Sequence, residues 1–246
     1  MTNVEKKQAL YEHMQALRRM LIVSVVSVLV VFAILFYLFC TPLVDFVLLP
    51  VRQRGISVIA TAVSEALMMQ FKVCLITAIV AAMPIIIWQI WSFVAPALYP
   101  HEKRAFAILF FIALILFFCG VVFCYLFVFP LAIDLFWHAA DGVADAMWSV
   151  QEYFNFVLSF VLPFGVMFEL PVAVYMMARR GWVDYTKMKR SRKFVILAIA
   201  VVAAILTPPD VVSQSMLMAP MIILYEVAVQ LTRFVKKKEP PAETAA

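Results

Sequence analysis

Three stretches without one charged side chain run through this sequence, Met20 to Val44, Val73 to Pro100 and Ala105 to Ile133, and a fourth, Tyr153 to Ala178, is interrupted by Glu169 alone. A helix of about 20 apolar residues crosses the ~30 Å hydrocarbon layer of a bilayer. Lipid accepts only backbones whose polar groups are satisfied within the protein, so each run predicts a spanning helix. Composition agrees, with 66% hydrophobic and 14% charged residues. A water-soluble globule carries about 25% charged residues and is excluded.

Lysine and arginine orient the spans, because short loops rich in them stay on the cytoplasmic side. Seventeen of the 20 fall on one side. They are Lys6, Lys7, Arg18 and Arg19 before the first span, Lys103 and Arg104 after the second, seven between Arg179 and Lys193, and Arg233 with Lys236 to Lys238. The opposite loops hold Arg52 and Arg54, while Asp134 to Glu152 carries four acids and no base. Lys72 stands near a helix start, from which its chain reaches outward. Both termini are expected in the cytoplasm.

The same parity governs Phe194 to Thr232, 39 residues between two basic segments. Pro208 and Pro209 break any continuous helix there, since proline lacks a donor and clashes with the preceding turn. Two short helices, Phe194 to Leu206 and about Ser213 to Thr232, are expected, with Thr207, Pro208, Pro209 and Asp210 as their outer turn. At ~1.5 Å per residue the shorter falls near 20 Å, less than the hydrocarbon thickness. A re-entrant hairpin is the alternative. Pro50 is read as a further turn residue. The expected fold is all-α, with six transmembrane helices of which the fifth and sixth are short.

Leu10, Met14, Leu17 and Leu21 share one helical face, so residues 1–19 are expected to form an amphipathic cytoplasmic helix rather than a cleaved leader. Residues 20–232 form the membrane domain. Residues 233–246, ending "KKKEPPAETAA", have the composition of a disordered tail. Cys40, Cys74, Cys119 and Cys124 lack metal spacing and read as buried thiols; no cofactor is implied. His13, His101 and His138 are scattered, and hydrolase, zinc and phosphate-loop signatures are absent.

What remains is acid and proline where membranes seldom tolerate them. Glu169, in "FGVMFELPVA", lies about ten residues inside the fourth run, where an ionisable group is costly and functional by default. It reads either as a functional site or as a protonated acid bonded to a neighbouring helix. Pro163 and Pro171 flank it and are expected to bend the span. Glu226 reads as an acid reaching to the cytoplasmic face.

The cytoplasmic segment "WSFVAPALYPHEKR" holds "F-x-x-P-A-L-Y-x-x-E", from Phe93 through Pro96, Leu98 and Tyr99 to Glu102. With the N-terminal "H-x-x-x-L-R", "FGVMFELPVA" and "LTPPD-x-x-S-Q", it resembles in order and spacing the TatC family, the large membrane subunit of the twin-arginine protein translocase. The resemblance covers about Glu12 to Thr232. It implies a receptor in the bacterial inner membrane rather than an enzyme. Such a receptor binds twin-arginine signal peptides of folded precursors and gathers small single-span subunits into a multi-copy complex powered by the proton-motive force. It implies recognition by Glu102, helped by Arg18, His101 and Glu12, with Phe93, Pro96, Leu98 and Tyr99 shaping the loop. A carboxylate and a guanidinium form a strong bidentate pair. Glu169 and Gln214 are expected to meet a partner helix.

The family places a glutamate where this chain has Ala16, and a second arginine where it has Met20. Glu12, one turn earlier on the same face, restores a carboxylate, or Glu102 acts alone. The rival function is a proton-coupled small-solute transporter using Glu169, against which stands the absence of paired repeats.

Overall fold

In a computed structural model, residues 3–98, 103–140, 147–179, 181–207 and 211–234 are described. They form α1 (Asn3–Leu38), α2 (Cys40–Arg52), β1 (Ser57–Ile59), α3 (Glu65–Leu98) and α4 (Lys103–Phe123). A π-helical turn (Cys124–Val128) leads into α5 (Phe129–Ala140), then β2 (Met147–Ser149), α6 (Val150–Phe168), α7 (Leu170–Arg179), α8 (Tyr185–Leu206) and α9 (Val211–Phe234). Five segments are long and apolar enough to cross a membrane: Met14–Leu38, Glu65–Phe93, Ala107–His138, Val150–Arg179 and Val211–Arg233. The chain divides into two compact units, residues 1–114 with 144–158, and 115–143 with 159–246.

In the first unit, α1 packs along α3 through Phe32, Phe36 and Phe71, with Phe36 and Phe71 centred 4.6 Å apart. No residue of the most apolar stretch of α1 is fully buried: the face on α3 is half-covered and the rest is exposed. The first span ends at Leu38 rather than Val44, because Pro42 has no N–H for the carbonyl of Leu38 and the helix restarts as α2. Pro50, expected in a turn, lies inside α2 and is buried. The turn follows at Gly55, with φ 70°. There Ile56 N–H reaches the carbonyl of Val51 and Gly55 N–H that of Arg52, the Schellman pattern that needs a left-handed residue. Tyr153 Oη donates to the carbonyl of Val47 at 2.8 Å, fastening α6 to α2. β1 and β2 pair in parallel, Val58 opposite Trp148, so the fold is not purely helical. Two three-residue strands leave too short an alternation to be legible in sequence.

The second unit is set by a close helix approach. A Cβ on Gly165 would lie 2.5 Å from a ring carbon of Phe117, and one on Gly120 2.7 Å from the carbonyl oxygen of Phe164. α4 and α6 therefore touch backbone to side chain, and Phe123 fills the next level against Phe164 and Phe168. Pro130, which has no N–H to give the turn before it, stands two residues after the end of the π-helical turn.

α8 and α9 run antiparallel. Gln214 Nε2 donates to the carbonyl of Ala200 at 3.1 Å, and Tyr225 Oη to that of Met188 at 2.8 Å. Asp184 caps α8 by accepting from the N–H of Lys187. The break expected between two helices falls at Thr207, whose hydroxyl bonds back to the carbonyl of Ala203. Pro208, Pro209 and Asp210 lie outside the described residues. Of the two helices only α8 has a short apolar part, 13 residues from Phe194 to Leu206 behind a basic half. α9 spans 24 residues, so its expected shortness is not found.

Candidate functional site

Two places in the fold gather the residues singled out by sequence, one in each unit. In the first unit, the beginning of α1 and the end of α3 enclose a groove of about 690 Å³. Gln15, Ala16, Arg19, Met20 and Val23 form one wall and Trp88, Gln89, Ser92 and Phe93 the other. The N-terminal motif and the opening residue of the loop motif, 75 or more positions apart in sequence, thus share one cleft. Trp88 is held edge-on to Phe110 with centroids 5.3 Å apart, which fixes that wall.

Ala16 and Met20, where the resemblance leads one to expect an acid and a base, both face this groove. Arg18 is exposed on α1 outside the lining set. Glu12 on α1, and Pro96 and Leu98 on α3, belong to described helices with side chains outside the described set. Tyr99, His101 and Glu102 lie outside the described residues. Sequence reading missed Gln15, Arg19, Gln89 and Ser92. Gln89 and Ser92, one turn apart in the apolar second half of α3, were the available signal.

In the second unit, Glu169 occupies the single-residue break between α6 and α7. Pro171 causes it: without an N–H it leaves the carbonyl of Met167 unserved, and the ladder resumes when Val172 and Ala173 donate to the carbonyl of Glu169. Of the two flanking prolines only Pro171 interrupts the helix, at the acid itself, while Pro163 lies inside the continuous α6. Glu169 Oε1 is buried and has no hydrogen-bond partner among the described residues. Gln214, expected to meet a partner helix, donates through Nε2 to the carbonyl of Ala200 on α8. Glu226 does not extend freely to the membrane face; it accepts from Arg192 Nη2 at 2.6 Å, joining α9 to α8. Lys72, in the first unit, is likewise engaged rather than turned outward, donating to Asn155 Oδ1 at 2.7 Å.

The model of the family described as Sec-independent protein translocase protein TatC matches residues 12–220. The chain belongs to the TatC family. It is 37% identical to the TatC of Carboxydothermus hydrogenoformans over 96% of this chain and 97% of that one. It is 38% identical to that of Haemophilus influenzae, over 97% and 94% respectively. A crystal structure described as the twin-arginine translocase receptor TatC superposes with TM-score 0.85 at 32% identity, covering 91% of this chain and 99% of that one. As a TatC-family member the protein is a multi-pass membrane component of protein transport. The solute-transporter reading finds no support in these relationships.

Proposed function

We propose that this chain is the signal-peptide receptor of a twin-arginine translocase in a bacterial inner membrane, crossing six times with both termini in the cytoplasm. The observation that carries the reading is the cleft in which Ala16, inside the N-terminal motif, and the neighbouring Arg19 meet Ser92 and Phe93, where the second motif begins. Glu102, nine residues beyond Phe93, is the recognition carboxylate for a signal arginine, with Glu12 supplying the second carboxylate in place of Ala16. Arg18 and His101 border the site, and Pro96 and Leu98, in the last turn of α3 rather than in the loop expected from sequence, lead with Tyr99 toward Glu102.

A charge-assisted pair contributes about 1.5 to 3 kcal/mol. Glu102→Gln therefore weakens a twin-arginine peptide roughly ten- to a hundredfold. Glu12→Gln weakens it less, and Ala16→Glu strengthens it. Peptide affinities at fixed ionic strength, with a twin-lysine peptide as comparison, test this. Unchanged affinity in Glu102→Gln rejects the assignment.

Small single-span subunits dock, in this reading, against the surface bearing Glu169. Its buried, unpartnered oxygen is an acceptor left open for another helix. Photocrosslinkers placed around Glu169 capture such a subunit, and capture falls in Glu169→Ala. The fifth crossing is α8, whose basic half stays at the cytoplasmic face while residues 194–206 enter the bilayer beside α9, the sixth. Single-cysteine labelling at position 210 from outside the cell, and at position 186 only from inside, tests the topology.

A further inference from the structure

Cys40 and Cys74, which read as separate thiols in sequence, are brought together at the corner where α1 ends. Phe36, in the last turns of α1, rests on Phe71 of α3 with ring centroids 4.6 Å apart. Cys40 follows Phe36 by four residues and opens α2 just past the break at Phe39. Cys74 follows Phe71 by three residues, one turn further along the same face of α3. The two thiols meet there in a hydrogen bond. Cys74 is buried and Cys40 half-buried, so the pair has one closed side and one open one.

The approach is held from both helices. α3 is fastened two residues before Cys74, where Lys72 donates to Asn155 Oδ1 of α6 at 2.7 Å. α2 is fastened seven residues after Cys40, where the carbonyl of Val47 accepts from Tyr153 Oη of the same α6 at 2.8 Å. Both helices thus keep their register against one neighbour, and the contact between the thiols supplies the proximity that a disulfide requires. In the topology proposed above, this corner lies two residues beyond the first apolar segment, on the outer side of the membrane, where thiols are oxidised.

We infer that Cys40 and Cys74 become a disulfide in the mature protein, a modification that fastens the corner between α1 and α2 to α3. The oxidant is a thiol–disulfide oxidoreductase of the outer compartment. The Cys40 thiolate attacks one sulfur of its disulfide, forming a mixed disulfide and releasing the other sulfur as a thiolate. The Cys74 thiolate then attacks the Cys40 sulfur, forming the Cys40–Cys74 bond and expelling the first sulfur. The cysteines give up two protons and two electrons, and the oxidoreductase gains both as a dithiol. The loop so closed carries the turn at Gly55 and β1, and closing it stabilises the fold by restricting the unfolded chain. The compartment rests on the proposed topology; the pairing rests on the contact alone.

The test has one arm for each, in a Cys119→Ser background because Cys119 is exposed. The purified, reduced full chain in detergent is treated with glutathione disulfide and weighed intact by mass spectrometry. The parent chain loses the mass of two hydrogens and retains no glutathione. Cys74→Ala, which lacks the resolving thiol, retains one glutathione on Cys40, and Cys40→Ser retains none. The oxidised parent melts several degrees above its reduced form, a difference absent from Cys40→Ser. In the second arm, intact cells are quenched in acid, free thiols are blocked with N-ethylmaleimide, and thiols released by reduction are labelled with a maleimide polymer. The parent gains two labels and either variant gains none. A parent chain that retains glutathione instead of closing overturns the pairing. Closure in the purified chain with no reducible pair in cells overturns the modification, and labelling at position 210 from outside then tells whether the topology falls with it or stands.

Discussion

Lys72 and Glu169 are both ionisable side chains set in long apolar helices, and the molecule treats them oppositely. Lys72 on α3 gives its ammonium to Asn155 of α6, so a polar pair ties two helices within the first unit. Glu169 stands at a helix break in the second unit with a buried oxygen that no described residue serves. A polar group inside a membrane is tolerated when it is bonded, and leaving one unbonded costs of the order of 1 to 3 kcal/mol. The pair therefore contributes to holding this chain together, whereas the lone acid contributes nothing to it. Its use must lie in what it meets.

Several substitutions break or sharpen that contrast. The largest effect is expected from Gly165→Val, because even a Cβ at this position meets Phe117 at 2.5 Å. Overpacking of this kind costs about 3 kcal/mol, and the melting temperature in detergent falls by several degrees. It would also displace the frame that carries Glu169. Lys72→Met comes next, at about 2 kcal/mol, because the Asn155 amide loses its donor; Lys72→Met with Asn155→Leu recovers part of the loss. A melting temperature unchanged in the single variant would end the claim that the pair is structural.

For Arg192 and Glu226 a double-mutant cycle should give at most about 1 kcal/mol. Their side chains are 33% and 37% exposed, and solvent screens such a pair. Gln214→Leu removes one interhelical bond, worth about 0.6 kcal/mol in membranes. Glu169→Leu comes last, with no loss of stability in the isolated chain and a gain of about 1 kcal/mol, because it removes an unbonded buried oxygen. Marked destabilisation by that change would mean the acid has an internal partner after all, and the comparison would collapse.

Much of this architecture was legible because membrane insertion writes itself into composition. The long uncharged runs became α3, α4 to α5 and α6 to α7, and the double proline after Thr207 separated α8 from α9. Pro171 announced the break at Glu169. Other features were not readable because they depend on a partner chosen by the fold. Lys72, Glu226 and Gln214 each look solvent- or partner-directed in sequence, and each finds an acceptor or donor on a distant helix. Pro50 misled for a different reason: a proline near a helix end is as compatible with the last turns as with the loop beyond. At the cleft, Ala16 and Met20 were visible as departures from the family pattern. Their place was not, since the groove they face emerges only when α1 lies against α3.

The parallel pairing of Ser57–Ile59 with Met147–Ser149 bears on how the chain is made. The two strands stand 90 residues apart, and α3, α4 and α5 lie between them. Such a non-local contact forms slowly and only after the intervening chain exists. During synthesis from the N-terminus, β1 emerges early and remains an unpaired edge until those helices have been threaded and β2 has arrived. This small sheet can therefore close only after α3, α4 and α5 have been made, so its six residues are among the last of the first unit to find their partners.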